Sequence, residues 1–397
     1  MTHVVFAWEL GAGFGHLTPM AALGNEFHRR GYRVTAIVPH LSLAQQMLPP
    51  LGIKVVEMLP LPAPFRSFPV SINYTANLLR NGFWHSATVA QRLLTWRKLL
   101  DELEPDLLIC DHAPSALLAS RDADYAKVAI GNGFTLPPLF EPMPGVQPWF
   151  SLPLDLLVQK DREFLDTVNP VLDEIGIAPL KAVAAMFEGV RRFMCIEADL
   201  DHYPVRSHET YWGAIDPVSP LPPPAPFEGG KTGVFVYMSA TNRFLESLMN
   251  SLAARGIPVL AYISGTSAEK ATRLPQAANV RYLQTPIDLH SVARTCRAVA
   301  IHGGTLSASI FLRNRLNLLV CPQDLEKAVL AARLQERKLA YAANWFSPQA
   351  LSEAQIDELL TRSSAPANLS AFAKQQANLN RSTNVKAIVD RCQMLLP

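Results

Sequence analysis

Ala300-Ile301-His302-Gly303-Gly304-Thr305-Leu306-Ser307-Ala308-Ser309 is the stretch on which the reading of this chain turns. The apolar run Ala298 to Ile301 stops at a histidine and two glycines, and small hydroxyl residues then open an amphipathic segment that reaches Arg315. That order spells strand, tight turn, helix N-terminus. A turn of this kind is an anion site, because first-turn amides lack an intrahelical acceptor, the helix dipole adds positive charge, and glycines let a phosphate approach the backbone. His302 and the hydroxyls of Thr305, Ser307 and Ser309 are candidates for further donors. The same residues would also make an ordinary strand-to-helix turn with Thr305 or Ser307 as the N-cap, so the rest of the chain has to decide.

With 397 residues, 49% of them hydrophobic and 18% charged, the chain can bury two separate cores. A formal net charge of +2 gives no footprint for a nucleic-acid partner or a polybasic membrane patch. Cys110, Cys195, Cys296, Cys321 and Cys392 lie far apart without a CxxC pair, which predicts buried free thiols in a reducing compartment. Met1 leads directly into a strand-like run without a signal-peptide pattern, and no apolar run of membrane-spanning length lacks charge or proline. A cytoplasmic location is expected; peripheral membrane contact and oligomeric state are left open.

Val4 to Trp8 predicts a buried parallel strand, and Glu9 to His16 the loop after it. Thr18 and Pro19 suit the start of a helix whose face carries Met20, Leu23 and Phe27 and which ends at Gly31. Strands follow at Arg33 to Val38, Ile53 to Met58, Asp106 to Cys110, Lys127 to Ile130 and Met194 to Ile196, with a helix at Val89 to Leu103. Leu59 to Trp84 and Phe134 to Phe150 are rich in Pro, Phe and Trp without a clear period. They read as long loops or broken helices near the carboxyl ends of strands, serving either as an apolar small-molecule pocket or as mutual packing. Pro217 to Pro226 reads as an extended linker. A second series then runs strand Gly233 to Met238, helix Asn242 to Arg255, strands Pro258 to Ile263 and Val280 to Leu283, and helix Leu289 to Cys296. After the glycine turn come strand Leu316 to Cys321, helix Asp324 to Leu339, and closing helices at Leu351 to Leu360 and Val385 to Leu396. The fold expected is α/β, two doubly wound Rossmann-like domains facing across a cleft. The N-terminal domain is 1–216, the linker 217–230 and the C-terminal domain 231–397, with the last helix free to pack back on the first domain.

A dinucleotide is disfavoured. The first loop reads Gly11-x-Gly13-x-Gly15 with His16 where a third glycine would fall, and the second strand ends Ile37-Val38-Pro39-His40 without a carboxylate for a ribose. There is no GxxxxGK[ST] loop. Asp122-Ala123-Asp124 and Asp199-Leu200-Asp201 match a short metal-binding pattern but read as solvated turns.

Gly13-Phe14-Gly15-His16-Leu17-Thr18-Pro19 resembles the GxGHxxP opening of the two-Rossmann, or GT-B, nucleotide-sugar glycosyltransferases. Val280 to Ala340 is similar to the donor-binding stretch of family 1, which holds the UDP-glucosyl and glucuronosyl transferases and their antibiotic-modifying relatives. The likeness extends loosely over the whole chain and includes Tyr211-Trp212-Gly213. It implies His16 as the base that deprotonates an acceptor hydroxyl and Asp111 as the carboxylate that orients it, a pairing that also suits imidazole chemistry near neutrality. Otherwise His16 is a loop histidine and Asp111 a helix cap.

On the donor side the resemblance implies His302, Gly303, Gly304, Thr305 and Ser307 at a diphosphate, Ser239 and Thr241 as a second phosphate-facing loop, Leu283 to Pro286 near the base, and Glu326 on sugar hydroxyls. Phe14, Phe65, Trp84 and Phe134 become the acceptor-lining candidates. The implied activity is inverting, metal-independent transfer from a nucleotide-diphosphate sugar, a co-substrate with no further cofactor, to an apolar small-molecule hydroxyl. The chain departs from the family pattern at Leu306, Ser307 and Ile310, which replace glycine, threonine and a ribose-binding glutamate. It departs again at Lys327, where glutamine is usual, and at Arg315-Leu316-Asn317. Two other readings therefore stay open: a GT-B-shaped binding or partner protein without donor chemistry, and a transferase acting on a lipid-linked acceptor.

Overall fold

The computed structural model describes residues 1–11, 13–58, 61–206, 209–218, 222–223, 232–265, 273–347, 351–361, 367–377 and 381–396. Two compact units emerge, Met1–Val218 with Arg381–Pro397, and Ser219–Asn380. Most of the expected linker, 217–230, lies outside the described residues.

The first unit holds six strands: β1 (His3–Trp8), β2 (Arg33–Val38), β3 (Lys54–Glu57), β4 (Leu107–Asp111), β5 (Ala126–Gly131) and β6 (Val190–Met194). They pair in parallel in the order β3-β2-β1-β4-β5-β6. The side-chain period of two sends Val4, Phe6 and Trp8 into one buried cluster and Val5 and Ala7 into the other, so helices cover both faces. Fully burying a side chain of the size of Phe6 is worth about 2–3 kcal/mol. Helix Arg381–Gln393 belongs to this layer: Ile388, Val389 and Cys392 are buried with Phe6 and Phe27, and Arg30 Nη1 donates to Asp390 at 2.6 Å.

The second unit repeats the plan with β7 (Gly233–Ser239), β8 (Val259–Ser264), β9 (Val280–Leu283), β10 (Cys296–Ile301), β11 (Asn317–Val320) and β12 (Tyr341–Ala342). Its parallel order is β12-β11-β10-β7-β8-β9. In each sheet the first and fourth strands of the unit lie side by side and their connections leave in opposite directions. That is the topological switch point, where loops at the carboxyl ends part and leave room for a ligand. Here it falls at β1/β4 and at β7/β10.

Several sequence expectations need correction. The first helix spans Phe14–Arg29, so it begins a turn early, with Gly13 as N-cap and Pro19 inside it. The sixth strand is Val190–Met194, displaced toward the N-terminus from Met194 to Ile196. Tyr74–Leu78 and Leu79–Phe83 form a broken helix, its kink at Gly82 with φ 98°. Leu154–Glu174 is a 21-residue helix that the proline-rich surroundings concealed. Asp199-Leu200-Asp201 is no solvated turn, since Asp201 is buried against Arg206 and accepts from Tyr211 Oη at 2.7 Å. Asp122 does remain at the surface, 2.7 Å from Arg97. All five cysteines are buried free thiols. Among the described residues no helix is long and apolar enough to cross a membrane.

Candidate active site

The β1/β4 switch point of the first unit carries one group of candidate residues. Parallel register sets Trp8 opposite Asp111, the last residues of their strands. After β1 the chain passes through Gly11, at φ 95°, and Gly13, at φ 89°, conformations that L side chains rarely adopt. Leu10 N donates to the carbonyl of His112 at 3.0 Å, which ties this loop to the end of β4. Glu9 reaches across to helix Pro114–Ala119, accepting from Ser115 N at 2.7 Å and Ser115 Oγ at 2.6 Å. Burial pushes the Glu9 carboxyl up, although Ser115 and Arg92 pull the other way.

Because the first helix starts at Phe14, His16 stands in its opening turn and not in a loop. Its Nδ1 lies 3.1 Å from Asp111 Oδ1, with the two side chains 16% and 4% exposed. A carboxylate only accepts, so Nδ1 carries the proton in this contact. Trp8 stacks on the imidazole at 4.9 Å between centroids and 22° between planes. A Cβ at Gly11 would fall 2.3 Å from Nε2, so the ring packs where a side chain at position 11 would stand.

His112 is a site residue that sequence reasoning passed over. It takes φ 47°, and its ring lies 6.5 Å from that of His16 and 6.3 Å from that of Tyr74. Its place directly after Asp111 at a strand end was the available signal. The acceptor candidates are not gathered into one wall. Phe65 is 96% exposed; Trp84 packs on Phe68 at 6.3 Å beneath Arg66; Phe134 lies against His202 at 5.8 Å; and Phe14 is half-buried. The loops that carry them are nonetheless pinned. Asp161 accepts from Thr75 Oγ1 at 2.6 Å and Met143 N at 2.8 Å, and Asn73 Nδ2 donates to the carbonyl of Met143 at 3.0 Å.

The β7/β10 switch point of the second unit carries a separate group. Helix Thr305–Arg313 is capped by Gly304 without a side-chain bond, so neither Thr305 nor Ser307 is the cap. Gly303 takes φ 101° and packs tightly on Val320 and Lys327. Thr305 is half-buried and Ser307 is 7% exposed at the opening turn, whereas Ser309 is wholly buried and offers nothing to a ligand. Ser239 Oγ and Thr241 Oγ1 lie 2.9 Å apart after β7, and Gln323 Nε2 donates to Thr241 at 3.2 Å. Glu326 is half-buried in the first turn of helix Leu325–Glu336. Ile310, at the position of the family glutamate, belongs to the core at 1% exposure.

His302 departs from its expected role. Its Nδ1 lies 3.3 Å from the carbonyl oxygen of Tyr237, an acceptor only, so the ring proton is engaged there. Burial first, and the Lys327 ammonium second, push the imidazole down to about 4, leaving it neutral near pH 7. In that form Nε2 has a lone pair and no proton to donate to a phosphate.

No protein-family model and no curated protein sequence matches this chain. Solved structures match it over its whole length. The kitacinnamycin glycosyltransferase superposes with a TM-score of 0.70 at 17% identity, covering 100% of this chain and 99% of its own. The calicheamicin glycosyltransferase gives 0.68 at 18%, covering 99% and 98%. A UDP-glucosyltransferase from Polygonum tinctorium capable of glucosylating indoxyl gives 0.66 at 14%, covering 99% of each chain. At such low identity the likeness lies in the path of the backbone. The fold of this chain is thus the two-Rossmann GT-B fold of the antibiotic and plant glycosyltransferases.

Proposed function

We propose that the chain is an inverting glycosyltransferase that moves a sugar from a nucleotide-diphosphate donor, without a metal ion, to a hydroxyl of an apolar small molecule. The observation that carries this reading is the His16–Asp111 pair at the β1/β4 switch point. His16 Nε2 takes the acceptor proton as the acceptor oxygen attacks the anomeric carbon from the face opposite the diphosphate. The anomeric C–O bond breaks, and its electron pair leaves with the nucleoside diphosphate. One displacement inverts the centre and needs no carboxylate nucleophile. Asp111 holds the tautomer and stabilises the imidazolium, and proton transfer to the positioned base contributes typically about 10²–10⁴-fold. In the second unit, the first-turn backbone at Gly304 and Thr305 receives the diphosphate, with Ser239, Thr241, Ser307 and Glu326 as further donor contacts. The small-molecule glycosyltransferases among the structural neighbours support an acceptor of that class.

His16→Ala is expected to abolish transfer while leaving nucleoside diphosphate affinity within about twofold, because the base does not bind the donor. Retained turnover would remove His16 from the mechanism. Ile310 in the core favours a second reading, a binding protein without donor chemistry, since a ribose finds no carboxylate there. Calorimetry with UDP, dTDP and GDP separates the two: saturable binding of any of them supports the transferase.

A further inference from the structure

The donor cradle has a histidine whose proton is already engaged, and yet a departing diphosphate needs positive charge. The His302 Nδ1 proton goes to the Tyr237 carbonyl, and its neighbours on the sheet, Tyr237 and Tyr262, supply no cation. Charge comes instead from the helix after β11. A Cβ at Gly303 would lie 3.0 Å from Lys327 Cβ and 3.4 Å from its Cγ, so the lysine stem runs along the glycine backbone. Lys327 is held there by the helix cap: Asp324 Oδ1 accepts from Lys327 N at 3.1 Å, and Asp324 Oδ2 pairs with Nζ. Burial works against the ammonium, but Glu326 and Asp324 outweigh it and raise its pKa, so it stays charged. An ammonium has three protons to donate, and Asp324 takes one.

We propose that Lys327 binds the diphosphate of the donor and takes up the charge that develops on it as the anomeric C–O bond breaks. The inference rests on the reading of the second unit as a donor site. The bonding electron pair passes to the β-phosphate oxygen, whose charge grows toward the transition state. An ammonium on a stem that packs against Gly303 therefore stabilises the departing group more than the ground state. A glutamine there can donate a hydrogen bond but carries no charge. Lys327 thus compensates, within this chain, for a cradle histidine that is neutral.

The test is calorimetric titration of the full chain and its Lys327→Gln and Lys327→Arg variants with UDP, dTDP and GDP and the matching nucleoside monophosphates. Lys327→Gln is expected to weaken the best-bound diphosphate by about tenfold or more and the monophosphate by less than about twofold, with Lys327→Arg restoring most of the loss. Equal effects on diphosphate and monophosphate, or no effect on either, overturn the proposal. Failure of the parent chain to bind any diphosphate overturns the donor reading itself and this inference with it. A thermal melt of each variant separates lost binding from lost folding.

Discussion

His16 Nδ1 and Asp111 Oδ1 are 3.1 Å apart, one on the first turn of a helix and the other on the last residue of the strand beside it. Asp111→Asn keeps the shape of this contact but removes the charge that stabilises the imidazolium. Turnover is expected to fall by about 10²-fold or more, with nucleoside diphosphate affinity unchanged. Steady-state kinetics and calorimetry on the same preparation check it; undiminished turnover excludes an orienting role for Asp111.

Gly11 and Gly13 make a matched pair of probes. Both have positive φ, but a Cβ at Gly11 meets His16 Nε2 at 2.3 Å, whereas one at Gly13 meets nothing within 4 Å. Alanine at either site is expected to cost about 1 kcal/mol of stability from backbone strain. Only Gly11→Ala displaces the imidazole, so turnover should fall roughly tenfold or more in that variant and stay near the parent value in Gly13→Ala. Equal turnover in the two would show that the space beside Nε2 is unimportant.

The neutral state of His302 makes stability depend on pH. Its folded-state pKa lies near 4, against an ordinary value of 6.5, so between those limits the unfolded chain binds more protons than the folded one. Its contribution is fully present above pH 6.5 and is lost as pH falls toward 4, by about 3 kcal/mol at the limit. His302→Asn should flatten this part of the profile. Denaturant midpoints of parent and variant at pH 7 and pH 4.5 check it, and parallel profiles would refute it.

Asp201 and Arg206 form an ion pair with side chains 1% and 2% exposed, bonded further to Tyr211 Oη and, through Arg206 Nη2, to the carbonyl of Gly133. Asp201→Ala strands a buried guanidinium and should cost about 3–5 kcal/mol. Urea unfolding measures the loss. A change under about 1 kcal/mol would mean that water or another side chain takes over the guanidinium.

Both glycine turns were legible in the linear chain because they need no distant partner. A β-branched run that stops at His302-Gly303-Gly304 can only be a strand ending at a turn, and Gly11, Gly13 and Gly15 after Trp8 carry the same message. Elements defined by packing were harder to read. Helix Leu154–Glu174 carries Pro170 inside it and begins after Pro153, so local propensity argued against a helix that tertiary contacts of Phe164, Val168 and Leu172 stabilise. Phe65 and Trp84 are alike in composition, yet the one projects into solvent and the other packs on Phe68, a difference no periodicity records.

Local chemistry therefore accounts for the alternation of strands and helices and for the two glycine turns, because hydrophobic period, proline and glycine act over a few residues. Which side chains meet was decided by strand order. The parallel β1/β4 pairing brings residue 111 beside the helix that carries residue 16, and the β7/β10 pairing brings the carbonyl of Tyr237 to the ring of His302. Protonation states follow from those meetings. The imidazole of His16 meets a carboxylate, while that of His302 meets a carbonyl and is kept neutral by burial and a lysine, and no inspection of either histidine's own neighbours in the chain distinguishes the two.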